Sequence, residues 1–296
     1  MDARRADVRP AAALKRVEAH RVNFEFLNDP AGFGLSEGWL HIAFDSPYWH
    51  ILLAGLLNTL KVGLPALLLS TLLGLVIGLG QLGSHPVLKG LCRGYVNLFR
   101  NIPLLLQLLA IYFAITQFLP IASAAWSIQD LVFLSKSGLA MPSFSEVPAR
   151  GRFSIEGGWV LSPEYLAVLL ALVVYTAAFI AEVVRAGVQA VKPGMRQGAL
   201  ALGLNPAQTT RYVVMPLALR VMVPSLSNQY LNLLKNASLG VAVGYPELVS
   251  VANTAINQSG KAVECVLIIL VTYALLSAVA AGLMNVLNTR VNRGAL

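Results

Sequence analysis

The sequence predicts an all-α integral membrane protein with about five transmembrane helices, on three observations. First, 56% of the 296 residues are hydrophobic and only 12% charged, with a mean hydropathy of +0.67, whereas soluble domains carry about 25% charged residues to cover their surface. Second, the apolar residues gather into runs of about 18 to 26, long enough to cross a hydrocarbon core as helices. These runs lie near residues 62–81, 102–119, 165–184 and 263–288, and a fifth near 221–244 is interrupted by polar residues. Third, the cations collect between the runs. "GSHPVLKGLCRGYVNLFRN" holds Lys89, Arg93 and Arg100 without one acid, and the 185–220 stretch holds Arg185, Lys192, Arg196, Arg211 and Arg220, so both are predicted to be cytoplasmic.

Arg290 and Arg293 place the tail on the same side. Five alternating crossings then leave residues 120–163 and 251–262 outside, together with the segment before the first run. That segment carries Arg4, Arg5, Arg9, Lys15, Arg16 and Arg21, which favour the cytoplasm, although seven acids are mixed among them. No apolar stretch of the signal-peptide kind precedes residue 50. Outside this leader sixteen basic residues face seven acidic ones, and most of the excess sits in the inside loops. The formal charge of +8 is thus a topology signal and no nucleic acid is an expected partner. Cys92 and Cys265 have no C-x-x-C or histidine spacing, so neither metal nor redox chemistry is predicted for them.

Along the chain, residues 1–48 read as a mixed-charge leader with a turn cluster in "NDPAGFG", 49–290 as the membrane body and 291–296 as a cytoplasmic tail. "PYWH" supplies interfacial aromatics before the first run, and Lys61 lies early enough in it for its amine to snorkel. Gly74 and Gly78 form a small-xxx-small step that lets a neighbouring helix approach closely. The loop over 121–163 is rich in proline and glycine and ends in Ser162-Pro163-Glu164, a cap followed by proline at the first helical position.

The stretch "QGALALGLNPAQTTRYVVMP", within a loop over about 190–216, is more than a connection. An alanine-rich helical turn stops at Gly203, and Asn205-Pro206 opens a second helix. A helix, a bend and a helix make a compact projection suited to docking in a groove of a soluble partner and passing on its movement. Pro216 and Pro224 then mark the re-entry into the membrane, where the helix is predicted to kink or break.

Those residues are similar to the EAA loop of ABC importer permeases: Glu-Ala-Ala, three residues, Gly, nine residues, Ile, one residue, Leu-Pro. Gln197, Gly198 and Ala199 fall on the triplet, Gly203 on the glycine, Val213 on the isoleucine, Met215 on the leucine and Pro216 on the proline. Gln197 departs from the acid and Gly198 from the first alanine, and glycine weakens a helix by about 1 kcal/mol relative to alanine. "YVNLFRNIPLLLQLLAIYF" and "YTAAFIAEVVRAGVQAV" resemble polar amino-acid permeases of the histidine, glutamine and arginine type. "QYLNLLKNASLGVAVGYPELVSVANTAINQSGKAVE", "NFEFLNDPAGFG" and "FLSKSGLAMP" resemble the general L-amino-acid permease branch. In that branch many members have a helix before the "FEFL" segment and a helical pair between "GLAMP" and "GGWVLSPEY"; neither is present here.

The resemblance implies a type I importer permease in the bacterial inner membrane, with the EAA loop as its ATPase-coupling element. Its implied partners are a pair of ATPase subunits, a second permease, identical or distinct, and a periplasmic amino-acid-binding protein. It also implies that the chain is not an enzyme and binds no cofactor, since ATP belongs to the partner; no G-x-x-x-x-G-K-[ST] phosphate cradle occurs in the sequence. Polar groups at membrane depth are costly unless paired, so they mark a pathway or a structural bond. The candidates are Glu182, Asn228, Gln229, Asn232, Lys235, Asn236 and Ser238. Lysine and amides suit a substrate carboxylate, and a carboxylate suits its ammonium. Each also has a structural alternative: an ion pair of Glu182 with Arg185 or Arg220, a partner-subunit contact for Lys235 and Asn236, and backbone groups freed by Pro224 for Asn228 and Gln229. The rival functions are an ion-gradient-driven amino-acid transporter and a non-transporting scaffold.

Overall fold

A computed structural model describes residues 22–35, 37–40, 42–151 and 155–293. The leader's basic cluster, Arg4 to Arg21, and residues 294–296 of the tail lie outside the described residues. Three helices have the length and apolarity of single spans: α1 (Tyr48–Leu82), α4 (Pro163–Gln189) and α9 (Ala262–Arg293). Two bent pairs of helices reach the length and apolarity of a span only when each pair is taken together. Helices α2 (Pro86–Asn101) and α3 (Leu104–Phe118) meet at 104°, and the stretch from α6 (Pro206–Thr209) through α7 (Met215–Asn236) and a 3-10 turn (Ala237–Val243) meets α8 (Leu248–Ser259) at 51°.

Helix α1 starts well before the run predicted at 62–81, with the Asn58 amide nitrogen and the Thr59 hydroxyl of its early turns bonded inside the protein. The Asn58 amide donates to the carbonyls of Glu37 and Pro246, each at 3.0 Å, and Thr59 Oγ1 accepts from the Leu248 amide at 3.2 Å. The predicted loop over 83–101 is instead an amphipathic basic helix, α2. Its break from α3 follows from Pro103, which holds Ile102 extended. Gln107 Nε2 caps the break by donating to the carbonyls of Phe99 and Ile102, both at 2.8 Å. At ~1.5 Å per residue the 15 residues of α3 span about 22 Å, and α2, turned 104° from it, adds little length along that axis.

Helix α4 lies at the centre, while none of the most apolar window of α9 is buried within the chain. Gly74 and Gly78 set the α1–α4 approach: a Cβ on Gly74 would lie 2.7 Å from Ile180 and 2.9 Å from the Ala177 carbonyl, and one on Gly78 2.7 Å from Val184. Gly74→Leu is therefore expected to force the two helices apart and cost on the order of 1–3 kcal/mol. Thermal unfolding in detergent checks this against Gly90→Leu, where an added Cβ meets nothing within 4 Å. Equal melting temperatures would show that the close approach carries no packing energy.

The ends of the bundle are named here for the leader and for the 190–216 loop. At the leader end, Phe26, Ala31 and Ile42 pack with residues of α1, α8 and the start of α9, and the Asn23 amide donates to Glu264. Glu37 joins three elements: Lys61 Nζ lies 3.0 Å from its carboxylate, the Ser162 hydroxyl donates to its other oxygen, and its carbonyl receives Asn58. Lys61 thus finds an acid, where the sequence predicts a cation reaching for water. Ser162 also caps α4 by accepting the Tyr165 amide at 3.0 Å, with Pro163 in the first turn, as predicted.

The predicted irregular loop over 121–163 contains a four-stranded antiparallel sheet of order β1 (Trp126–Ile128), β2 (Val132–Ser135), β3 (Gly138–Met141) and β6 (Trp159–Leu161). A two-stranded hairpin, β4 (Ala149–Arg150) with β5 (Ile155–Glu156), lies before β6. Gln129 and Asp130, both at φ 52°, turn β1 into β2. Gly138, at φ +109°, allows β3 to pass β6, since a Cβ there would sit 2.0 Å from the Leu161 carbonyl.

Candidate coupling loop and transport pathway

At the loop end, α5 (Pro193–Ala201) follows α4 after a short turn. Its C-terminus closes as a Schellman motif: Leu204 N–H donates to the Ala199 carbonyl at 3.2 Å and Gly203 N–H to Leu200 at 3.0 Å. Gly203 takes φ +89°, a left-handed conformation that side-chain-bearing residues adopt at a cost. Asn205 then caps α6 in a full capping box: its carboxamide accepts the Gln208 amide, and Gln208 accepts the Asn205 amide, both at 2.9 Å. A π-helical turn over Thr210–Val214 leads into α7.

Within this unit Gln197 and Gly198 are exposed, and Ala199 points inward. Val213 sits in the π turn, while Met215 and Pro216 open α7. Thr209, fully buried, and Leu202, 86% exposed at the tip, belong to the same unit. Sequence reading passed over both, because the burial of one and the exposure of the other depend on how the two short helices fold back. The break predicted at Pro216 or Pro224 lies elsewhere. Helix α7 runs through Pro224 to Asn236, and the chain bends at the 3-10 turn ending in Gly244, φ +83°. Proline is tolerated in membrane helices where surrounding groups meet the backbone it frees.

At mid-depth α4 and α7 enclose a cleft of about 260 Å³ lined by Tyr175, Thr176 and Phe179 from α4 and by Gln229, Asn232 and Asn236 from α7. The α7 residues lie at i, i+3 and i+7, one face of a helix. Asn228 and Lys235 are exposed and do not line the cleft. The Ser238 hydroxyl is turned back to the Lys235 carbonyl at 2.7 Å. Glu182 pairs with Arg185 one turn on, Nε to Oε2 at 3.0 Å, and does not line the cleft. The structure therefore brings Gln229, Asn232 and Asn236 together and leaves Glu182, Asn228, Lys235 and Ser238 apart. The α4 lining was visible in the sequence only as "YTAAF", with two aromatics flanking small residues. Arg100 stacks on Phe179, 5.1 Å from the ring centroid, and places a cation beside the cleft wall.

Membrane-length helices around a neutral polar cleft, with a rigid helical lever at one end, define a multi-pass membrane permease. The chain belongs to the family described as binding-protein-dependent transport system inner membrane component, which residues 70–293 match. It is 34% identical over 331 positions to the general L-amino acid transport system permease protein AapQ of Rhizobium johnstonii, covering 90% of this chain and 83% of that one. It is 29% identical over 241 positions to the glutamate/aspartate import permease protein GltJ of Escherichia coli K12, covering 80% and 86%. A solved structure of an amino acid ABC transporter with histidines superimposes with a TM-score of 0.63 at 26% identity, covering 82% of this chain and 95% of that chain. The type I importer permease fold is thereby shared. The 331 positions matched to AapQ exceed this chain's whole length, so AapQ carries stretches with no counterpart here.

Proposed function

We propose that this chain is a permease subunit of an ATP-driven importer that moves amino acids received from an extracytoplasmic binding protein across a bacterial inner membrane. ATP is bound and hydrolysed on separate subunits seated against the 190–216 loop. A second permease, identical or distinct, completes the pathway. The body over 49–290 is the translocating unit, with the basic loops in the cytoplasm. Family membership and the names of the relatives support this reading over an ion-gradient carrier.

The single observation that carries it is the loop itself. Two short helices are fixed by a Schellman motif and a capping box, with a 86%-exposed leucine between them, and lead through a π turn directly into the helix that lines the cleft. A rigid lever joined end-on to a pathway helix converts closure of the ATPases into movement of the cleft wall. The roles of Gln197, Gly198, Ala199, Gly203, Val213, Met215 and Pro216 are to shape that lever and its junction.

In the cleft, Gln229, Asn232 and Asn236 offer amide donors for a carboxylate and carbonyl acceptors for an ammonium. With no fixed charge in its lining, the cleft accepts a zwitterion without trapping it. Asn236→Leu and Gln229→Leu are expected to weaken uptake about tenfold or more, the value of a hydrogen bond to a charged group. Asn228→Leu, outside the cleft lining, is expected to leave uptake unchanged. Radiolabelled amino-acid uptake into cells or proteoliposomes checks this, and equal loss from all three variants would remove the cleft from the pathway.

A further inference from the structure

The sheet inserted between α3 and α4 has two unlike faces. Register places Trp126, Ile128, Leu139, Met141, Trp159 and Leu161 on one face, because paired residues share a face and alternate residues return to it. Phe133 and Ala140, on the other face, are buried with Ala125 and Ile155 under the β4–β5 hairpin, where Arg150 stacks on Phe133 at 5.5 Å. The covered face therefore carries the charged hairpin. The first face carries no charge at all.

At its middle the apolar face is already seated: Leu139 and Leu161 pack on the core formed by α3 and α4. Its two edge strands overhang, leaving Trp126 61%, Ile128 71% and Trp159 55% exposed. The overhang lies at the level where spans end. Lys136 N–H bonds the Pro120 carbonyl at 2.8 Å just beyond α3, and β6 runs directly into the cap of α4. Phe118 and Ile121, at the same end of α3, are 83% and 60% exposed and continue the apolar belt of that span onto the sheet.

We propose that this face of the sheet lies on the membrane, with Trp126, Ile128 and Trp159 immersed in the headgroup region of the leaflet at the leader end. Tryptophan is favoured there because its ring is apolar and its N–H reaches the wet side. The insertion thus acts as an interfacial anchor that fixes the outer ends of α3 and α4, with its charged hairpin held toward water. Continuity with the belt of α3, and a face wholly without charge, favour lipid over a soluble protein, whose docking surfaces carry a polar rim.

The test uses the full, unaltered chain in nanodiscs of phosphatidylcholine and phosphatidylglycerol carrying a photoreactive lipid, with the reactive group either beside the headgroup or at the acyl terminus. Label from the headgroup-proximal probe is expected on peptides containing Trp126–Ile128 and Trp159, with little from the terminal probe and none on the peptide containing Glu146 to Arg150. A second measurement keeps Trp126 as sole tryptophan, with Trp39, Trp49 and Trp159 replaced by phenylalanine. Lipids brominated near the headgroup are expected to remove most of its emission and aqueous iodide little. A Glu156→Trp reporter, with all four native tryptophans replaced, is expected to show the reverse. Equal access of iodide to both reporters, or shielding of Trp126 that appears only when a partner permease or binding protein is added, would overturn the proposal.

Discussion

Leu202→Ala is expected to leave the melting temperature of the chain unchanged and to lower coupled transport about tenfold or more. The side chain is 86% exposed, so its removal takes nothing from the fold of this subunit. If the tip inserts into a groove of the ATPase, that contact buries a leucine, worth about 1.5–3 kcal/mol. Gly203→Asp acts on the same unit differently. It adds a charge at the tip and places a side chain at φ +89°, costing roughly 1–2 kcal/mol of local strain. ATP hydrolysis should then continue without uptake. The measurement is the ratio of ATP hydrolysed to solute imported in proteoliposomes; an unchanged ratio in both variants would mean that the tip does not touch the ATPase.

The second large effect lies at the opposite end. Lys61 and Glu37 are 16% and 12% exposed, so their pair is nearly enclosed. Lys61→Met strands the Glu37 carboxylate, and removal of one partner from a buried pair costs about 3–5 kcal/mol. The double variant Lys61→Met/Glu37→Gln is expected to recover most of that loss, because no charge is left uncompensated. Thermal unfolding of the wild type, Lys61→Met, Glu37→Gln and the double variant in one detergent gives the comparison. If Lys61→Met unfolds at the wild-type temperature, Glu37 does not clasp the leader to α1 and α4. High salt is expected to move the wild-type value little, since enclosed pairs are weakly screened.

How far sequence reading reached depends on the length scale of each signal. The long apolar runs of α1, α4 and α9 and the bent α7 crossing exceed any hydropathy window, and all are found in the structure. The Gly74–Gly78 step and the Ser162-Pro163 cap were legible because small residues and N-caps act locally. Helix α2 was not, since an amphipathic basic helix has the composition of a cytoplasmic loop. Strands of two to four residues are too short to show alternation, so the sheet read as loop. Asn58 and Thr59 looked like the edge of a span because their partners, Pro246 and Leu248, lie nearly 190 residues away.

The helix-bend-helix unit of the 190–216 loop was the most legible part of the candidate site, because glycine, Asn-Pro and proline fix the backbone by themselves. In the cleft, polarity alone gathered seven candidates, and only the packing of α7 against α4 set Gln229, Asn232 and Asn236, which line it, apart from Asn228 and Lys235, which do not. Glu182 resolved into the ion pair with Arg185, since an acid three residues before an arginine on a helix meets it across one turn.

Solute uptake by the purified chain, alone and joined by the ATPase that co-purifies with it, tests the central claim most directly. Proteoliposomes holding both, with the binding protein on the leader side, are expected to accumulate amino acid only while ATP is hydrolysed at the loop side and to stop when Leu202 is removed. Accumulation by the chain alone under an imposed proton or sodium gradient, without any ATPase, would contradict it.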